Sequence, residues 1–294
     1  MTTKTSGAPG EILARALAYP YQPPDFGFVF GAGSEAPLPL KLRRLSHFPA
    51  GPETAPLADL EIEAEGGGIR RYGARVPLIA AGSNASFLRL RSKFSEAGLE
   101  SEFPVLLARA HGLVAAYSAH VSSYGPVPGT LAGEAGAVSL LHVAFVDADA
   151  LACLNASEAL GKNYALALVS GHRLDFGGGL GLDAGLAYIS MRGVHAPSGA
   201  PLRLTAFRAE GSRLSARSQR EILDGLRRHL ASRAPLEDFV AEQVGDEAVR
   251  LARTAAMAAT ARNCGISGLR CVAGGMAAPP AELPGAFTPG RSGV

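Results

Sequence analysis

The sequence predicts an α+β protein, in which a strand-rich core of about 120 residues is followed by a helical C-terminal annex. Between residues 76 and 190, short apolar runs alternate with turn residues, as in a sheet. After residue 210 the apolar residues recur at helical spacing. The 294 residues are 47% hydrophobic and 18% charged, a composition that excludes wholesale disorder and suits one large domain or two smaller ones.

The N-terminal part, residues 1–75, is predicted to be an arm or extension with short strands. Its first 35 residues are rich in Gly and Pro, and Tyr19–Pro24 favours an extended or polyproline conformation that wraps around the body. Leu38–Leu45 and Leu60–Ala64 are strand candidates, followed by a turn at Gly66–Gly68.

The core is predicted to span residues 76–210. Two helices with polar N-caps lie in it, Phe87–Glu96 behind Ser86 and Ala148–Glu158 behind Asp147. The predicted strands share apolar runs bounded by turn residues: Val76–Ala81, Val105–Ala110, Val114–Ser122, Val138–Val146, Tyr164–Ser170 and Gly185–Ser190.

The annex is predicted for residues 211–272. Ser215–Ser232 forms an amphipathic helix with an apolar stripe from Ile222 to Leu230, and Leu236–Arg262 forms a helix or a helix pair broken near Gly245. Because the stripe must be buried somewhere, we expect a partner or a homo-oligomer through these helices. Residues 273–294, dominated by Gly, Ala and Pro, are predicted to be a mobile tail.

Charge and composition exclude several classes of partner and cofactor. The net charge of +2, the 6% of aromatic residues and the absence of Trp provide no footprint for nucleic acid or an anionic membrane. Cys153, Cys264 and Cys271 have neither the number of a disulfide framework nor metal-ligand spacing, so we expect no disulfide framework and no metal site. The first ten residues resemble no secretory signal, and no apolar run approaches the roughly 20 residues of a membrane span, so we expect a cytoplasmic protein.

The turn Gly82-Ser83-Asn84, after a predicted strand, is the first candidate for a functional site. Successive backbone N–H groups in such a turn bind anions, and the N-terminus of a following helix adds to that preference. A carboxylate or phosphate suits this loop. The same residues also form turns that bind nothing, and the pattern alone leaves that interpretation open.

Glu158, at the end of the second core helix, is the second candidate. It follows Leu151 and Leu154 at helical spacing, so its side chain is able to face the core. A carboxylate close to apolar walls has the raised pKa that a general acid or base requires. A solvated Glu at a helix end is the alternative.

In this order, the two candidates resemble the γ-glutamylcyclotransferase-like superfamily, whose members carry a Tyr-Gly-Ser-Asn loop and an essential Glu. The resemblance covers roughly residues 76–192. The matching segments are Ala81–Asn84, Gly129–Leu131 leading into Val138–Val146, Leu154–Glu158, Asn163–Tyr164 and Gly185–Tyr188. The family's Tyr before the loop is Ala81 here, and an Asp of its helix is Asn155.

The resemblance implies a small mixed or antiparallel β-barrel and a cofactor-free reaction. Glu158 is the implied catalytic acid/base, and the substrate's own amine closes onto its side-chain carbonyl, forming 5-oxoproline and releasing an amine. Gly82, Ser83 and Asn84 are the implied carboxylate-binding loop, and we expect Tyr124, Tyr164 and Tyr188 to line the pocket. The small-molecule substrate is expected to be a γ-glutamyl amide or a similar carboxylate-bearing amide.

Two other functions remain open for the same pocket. One is hydrolysis of a small amide or ureido compound, with Glu158 activating water; the other is a non-catalytic ligand-binding or assembly protein that retains the fold. Burial of Glu158 beside the loop favours an enzyme. An exposed, salt-bridged Glu158 with side chains filling the cavity favours the non-catalytic alternative.

Several other polar residues have both a functional and a structural interpretation. His120, His142, His172, Arg173 and Arg192 lie in or near predicted strands. His120 and His142 are expected to be hydrogen-bonded in the core or at a rim. His172, Arg173 and Arg192 are expected to be solvated or to hold a substrate carboxylate.

Overall fold

A computed structural model describes residues 7–48 and 55–274 of the chain. The described residues form six α-helices and twelve strands, numbered separately along the chain: α1 (Pro9–Leu17), β1 (Phe28–Gly31), β2 (Leu38–Phe48), β3 (Leu57–Ala64), β4 (Gly68–Ala80), α2 (Phe87–Ala97), β5 (Glu102–Tyr117), β6 (Gly129–Val146), α3 (Ala148–Ser157), β7 (Tyr164–Asp175), β8 (Gly181–Ser190), β9 (Arg203–Leu204), β10 (Ala209–Glu210), β11 (Ala216–Arg217), α4 (Gln219–His229), α5 (Leu236–Gly245), α6 (Glu247–Ala258) and β12 (Leu269–Ala273).

The strands form one mixed sheet, in which β4–β8 and β9–β11 are parallel pairs. The most extensive pairing joins β5 to β6, from Val105 opposite Ala144 to Tyr117 opposite Gly129. In addition, β6 pairs with β4, β4 with β8, β8 with β7, and β7 with β5. These strands therefore form a hydrogen-bonded ring, and the fold is an α+β arrangement of a large mixed sheet with C-terminal helices.

The predicted core strands are present, but β5 differs from its prediction. Val105–Ala110 and part of Val114–Ser122 belong to one strand that ends at Tyr117. Gly112, with φ of 73°, lies at a register shift between His111 and Leu113, so the strand bends without ending. Glycine is the residue that adopts this φ without strain, which is why the position resembled a turn in the sequence.

Helices α2 and α3 confirm the predicted caps and carry the residues of the candidate site. The Ser86 Oγ accepts from the Arg89 N–H at 3.4 Å, and the Asp147 Oδ1 accepts from the Ala150 N–H at 2.9 Å. The buried Phe94 of α2 packs 5.1 Å from the Phe30 ring of β1. Burial of such a ring contributes about 2 kcal/mol, and it fixes this helix against the sheet.

The N-terminal part differs most from its prediction. The expected extended arm contains the helix α1, which begins with a proline at a position where the missing N–H costs nothing. Ile12, Leu13 and Ala16 of this helix are buried, and α1 packs against α5. In Tyr19–Pro24, Tyr21 has φ of 67° and Gln22 has φ of 39°, so the segment is not a continuous polyproline stretch. A turn closed by the Tyr21 N–H and the Ala18 carbonyl, 2.6 Å apart, takes its place.

The sheet also continues across residue 75, the predicted limit of the arm. Strand β4 runs from Gly68 to Ala80, β1 lies between β2 and β5, and β3 pairs with both β2 and β4. The strands predicted at Leu38–Leu45 and Leu60–Ala64 are confirmed as parts of β2 and β3.

The C-terminal annex contains three helices. Helix α4 starts at a capping box of Ser218 and Glu221, and α5 and α6 are separated at Asp246, close to the predicted break. Ile222 and Leu226 of the predicted stripe are 2% and 3% exposed within this chain, whereas Leu230 remains 37% exposed. Most of the stripe is thus covered without a second copy, and self-association stays a prediction.

Two further predictions concern membranes and the tail. Among the residues that the structure describes, no helix has the length and hydropathy to cross a membrane. Of the tail predicted for residues 273–294, only Ala273 and Gly274 are described, and Ala273 ends β12; the rest lies outside the described residues.

Candidate functional site

One cavity of about 310 Å³ brings together the predicted site residues. It lies where β4 and β8 end and β6 and β7 begin, beside α2 and the end of α3. All seven residues that the sequence predicted for the site line this cavity: Gly82, Ser83, Asn84, Tyr124, Glu158, Tyr164 and Tyr188.

The loop after β4 is shaped by close backbone packing. Ser83–Ala85 forms a short 3-10 turn between β4 and α2. A Cβ on Gly129 would lie 2.2 Å from the Ala81 carbonyl oxygen, and a Cβ on Gly82 would lie 2.3 Å from the Tyr19 hydroxyl oxygen. Glycines at both positions therefore let β6, the loop and Tyr19 approach one another.

Glu158 is held by two residues of the loop and α2. The Asn84 amide donates to the Glu158 Oε1 at 3.0 Å, and the Lys93 ammonium forms an ion pair with the same oxygen. Lys93 also donates to the Asn84 Oδ1 at 2.7 Å. The three side chains are thus a closed hydrogen-bonded set that fixes the orientation of the carboxylate. Lys93 carries no signal in the sequence for this role, because it lies on a helix with several other cations.

The second oxygen of Glu158 is not used by this set. Among the described residues, no hydrogen-bond partner binds the Glu158 Oε2. The side chain is 15% exposed, beside the loop, and the cavity next to it is open rather than filled. Of the features that separate an enzyme from a non-catalytic protein, burial beside the loop and the open cavity favour the enzyme, whereas the salt bridge does not.

Three predicted tyrosines line the cavity. The Tyr164 hydroxyl donates to the Gly129 carbonyl at 2.9 Å, and the Tyr188 hydroxyl donates to the Asn155 Oδ1 at 2.8 Å. Burial raises the pKa of Tyr164, Tyr188 and Tyr124 well above the ordinary value, and the nearby Glu158 adds to this effect. All three phenols are therefore neutral near pH 7.

A fourth tyrosine, Tyr19, was not predicted as a site residue. Its ring is 6% exposed, and its hydroxyl accepts the Gly129 N–H at 2.6 Å. Burial raises its pKa, the N–H groups of Gly129 and Ser83 oppose that shift, and Glu158 reinforces it. The residue lies in the N-terminal part, outside the segment that resembles the family, so neither motif nor spacing connected it with the loop.

A buried chain of hydroxyl groups bonds His120, a residue that lines the cavity. The Ser118 Oγ is 2.6 Å from both the His120 Nδ1 and the Ser190 Oγ. Burial lowers the pKa of His120 to about 3, and the positive charge of Arg192 adds to this effect. His120 is therefore a neutral, hydrogen-bonded residue that lines the cavity. The predicted hydrogen-bonded histidine is confirmed.

Cationic side chains outnumber acidic ones around the cavity. Arg89, Lys93, Lys162, Arg192 and Arg250 line it, against Glu158 and Glu247. Within the described ranges, Arg192 forms no ion pair and its buried Nε has no hydrogen-bond partner. Arg250 and Glu247 come from α6, so the annex forms part of the wall. The balance favours an anionic ligand.

The remaining polar candidates lie elsewhere. His142 is buried outside this cavity, and burial lowers its pKa to about 4. Neither of its ring nitrogens has a hydrogen-bond partner among the described residues, so the prediction of a hydrogen-bonded residue is wrong for His142. His172 bonds the backbone carbonyls of His111 and Ser267, and Arg173 pairs with Asp183. The three cysteines are free thiols. The part of the chain that is described contains no group of three or more His, Cys, Asp or Glu able to hold a metal.

Comparisons of the chain with protein-family models, with curated proteins and with solved structures found no match.

Proposed function

We propose that the protein is a cofactor-free enzyme of the γ-glutamylcyclotransferase-like type. It converts a γ-glutamyl amide, or a similar small amide bearing a carboxylate, into 5-oxoproline and a free amine. The ring of strands is consistent with the small barrel that the resemblance implies, and that barrel is the finer description we propose for it. The reaction needs no water: one C–N bond forms as the other breaks.

The arrangement of Glu158 is the observation that carries this proposal. One carboxylate oxygen is fixed by Asn84 and Lys93, and the other has no partner among the described residues at the edge of an open cavity. A general acid/base must be held in place while one oxygen remains free to exchange a proton with the substrate. A Glu used only for structure has no need of the open cavity beside it.

The proposed proton transfers follow from this geometry. The free oxygen of Glu158 takes a proton from the substrate's α-ammonium group, and the resulting amine attacks the γ-carbonyl carbon. The tetrahedral intermediate collapses when Glu158 returns the proton to the leaving nitrogen and the bond from carbon to that nitrogen breaks. The carboxylate then takes the surplus proton from the new ring nitrogen and passes it to the released amine, so the products are 5-oxoproline and an ammonium ion. Because nucleophile and electrophile belong to one molecule, the main task of the cavity is to hold the folded conformer, which supplies much of the rate.

The charge and size of the cavity support a small anionic substrate. About 310 Å³ is at the lower end of the range for ligand pockets, so the cavity suits a small metabolite rather than a polymer. The Gly82–Asn84 loop and the Arg192 guanidinium, which has no ion-pair partner among the described residues, provide donors for the substrate carboxylate. An arginine fork binds a carboxylate more specifically than an isolated ammonium does.

The test is a product analysis on purified protein with a panel of γ-glutamyl amides and peptides. Released amine and 5-oxoproline are measured together in the same reactions. Equal amounts of both would support the proposal. Amine released with free glutamate instead of 5-oxoproline would replace it by hydrolysis, and no reaction with any substrate would favour the non-catalytic alternative.

A further inference from the structure

Tyr19 contacts the candidate site from outside the segment that resembles the family. It follows α1, whose Ile12, Leu13 and Ala16 are buried. The ring reaches under the Gly82 loop and lines the same cavity as Glu158. Tyr19 is thus nearly buried and lines the cavity, although it belongs to no strand of the sheet. This position indicates a role in the site.

The Tyr19 hydroxyl accepts a hydrogen bond but donates none to the described residues. Its oxygen accepts the Gly129 N–H at 2.6 Å. A phenol oxygen that accepts a hydrogen bond still has its own hydrogen to donate. Within residues 7–48 and 55–274, no hydrogen bond has the Tyr19 hydroxyl as its donor. The cavity is the space into which it can point.

We propose that Tyr19 is a catalytic residue whose hydroxyl donates a hydrogen bond to the carbonyl oxygen of the scissile amide. The inference rests on the proposed function. When the amine attacks, the carbonyl π electrons move onto that oxygen, and a fixed donor stabilises the developing charge. A neutral donor beside Glu158 does this without forming a salt bridge that would compete for the carboxylate. The hydrogen bond from the Gly129 N–H holds the phenol in place before substrate binds.

The test compares Tyr19→Phe with Tyr117→Phe. Tyr117 is another nearly buried tyrosine, 2% exposed, whose hydroxyl donates to the Arg217 carbonyl at 2.9 Å and does not line the site cavity. We expect Tyr19→Phe to lower kcat for 5-oxoproline formation by about 100-fold while KM changes by less than about threefold. Tyr117→Phe is expected to keep both constants within about twofold. Equal kcat values for the wild type and Tyr19→Phe would overturn the proposal.

Tyr19→Phe leaves the Gly129 N–H without a partner, so its thermal unfolding is measured alongside. If this variant unfolds at the assay temperature, 3-fluorotyrosine at position 19 replaces it, because fluorine makes the hydroxyl a stronger donor with little change of shape. A changed kcat at unchanged Tm supports the donor role, and an unchanged kcat overturns it.

Calorimetric binding of 5-oxo-L-proline separates this inference from the proposed function. Its lactam carbonyl is the oxygen that Tyr19 is proposed to contact, and we expect the affinity of Tyr19→Phe to fall by about fivefold or more. That loss in a protein that forms no 5-oxoproline would refute the cyclotransferase and keep the Tyr19 contact. Equal affinity would overturn the contact. A wild type with neither binding nor turnover would overturn both.

Discussion

Replacing Lys93 by Met is expected to destabilise the protein through Glu158. The Lys93 side chain is 5% exposed and Glu158 is 15% exposed, so the pair is nearly buried. Removing one partner of a buried pair typically costs about 3–5 kcal/mol, because the other charge is left without compensation. Two factors reduce this loss: Glu158 is partly exposed, and Met keeps an apolar stem in place of that of Lys. We therefore expect a loss of about 2–4 kcal/mol in the free energy of unfolding.

The assay is urea unfolding of the wild type, Lys93→Met, Glu158→Gln and the double variant. A loss of about 3 kcal/mol moves the urea midpoint down by about 1 M for a chain of this size. The double variant removes both charges, so it should be more stable than the sum of the single losses predicts, by about 1 kcal/mol or more. Lys162→Met is the matched control, since Lys162 lines the same cavity but is exposed and forms no ion pair among the described residues.

Two results would refute this reasoning. The first is a loss for Lys93→Met no larger than that for Lys162→Met. The second is strictly additive losses in the double variant, which would mean that the two side chains do not interact in solution. Either result would also remove the argument that Lys93 fixes the orientation of Glu158.

Three further predictions concern the packing around the loop after β4, the proposed carboxylate contact of Arg192 and the stability of the protein at acid pH. Gly129→Ala should lower the free energy of unfolding by about 1–3 kcal/mol in urea titrations, because its Cβ would lie 2.2 Å from the Ala81 carbonyl oxygen. The control is Gly225→Ala, which should be neutral or stabilising because the space around its Cβ is open. Arg192→Gln should raise KM by about tenfold with a smaller change in kcat, and an unchanged KM would remove it from carboxylate binding. Because the folded-state pKa of His120 is lowered to about 3 from 6.5, the unfolded chain binds more protons between these values and stability falls as the pH drops below 6.5. At about pH 4.5 this costs roughly 3 kcal/mol, so the pH dependence of Tm should be shallower in His120→Gln. An equally steep dependence would contradict the assignment.

The local patterns of the core were sufficient to predict its elements. The caps at Ser86 and Asp147 are signals carried by a few neighbouring residues, and the structure forms both. The order in which the Gly82–Asn84 loop and Glu158 follow each other in the chain then predicted that Asn84 and Glu158 share one cavity, although 74 positions separate them. That step came from the resemblance, since neither composition nor periodicity relates residues so far apart.

The features that the sequence did not predict depend on tertiary contacts. Helix α1 was missed because Gly and Pro dominate its surroundings, whereas its burial against α5 decides its conformation. Tyr19 and Lys93 were missed because their partners, Gly129 and Glu158, are distant in the chain. The wall formed by α6 was missed for the same reason, since Arg250 belongs to a helix that the sequence separates from the core.

The central claim is that Glu158 exchanges the proton in ring closure. The most direct measurement is the rate of 5-oxoproline formation from the best γ-glutamyl amide by Glu158→Gln, with Glu242→Gln as control. Glu242 pairs with the nearly buried Arg253 and does not line the cavity, so its loss removes an ion pair but not the proposed chemistry. The account predicts that Glu158→Gln loses about 100-fold or more in kcat while remaining folded, and that Glu242→Gln keeps its activity. A folded Glu158→Gln protein that forms 5-oxoproline at the wild-type rate would contradict it.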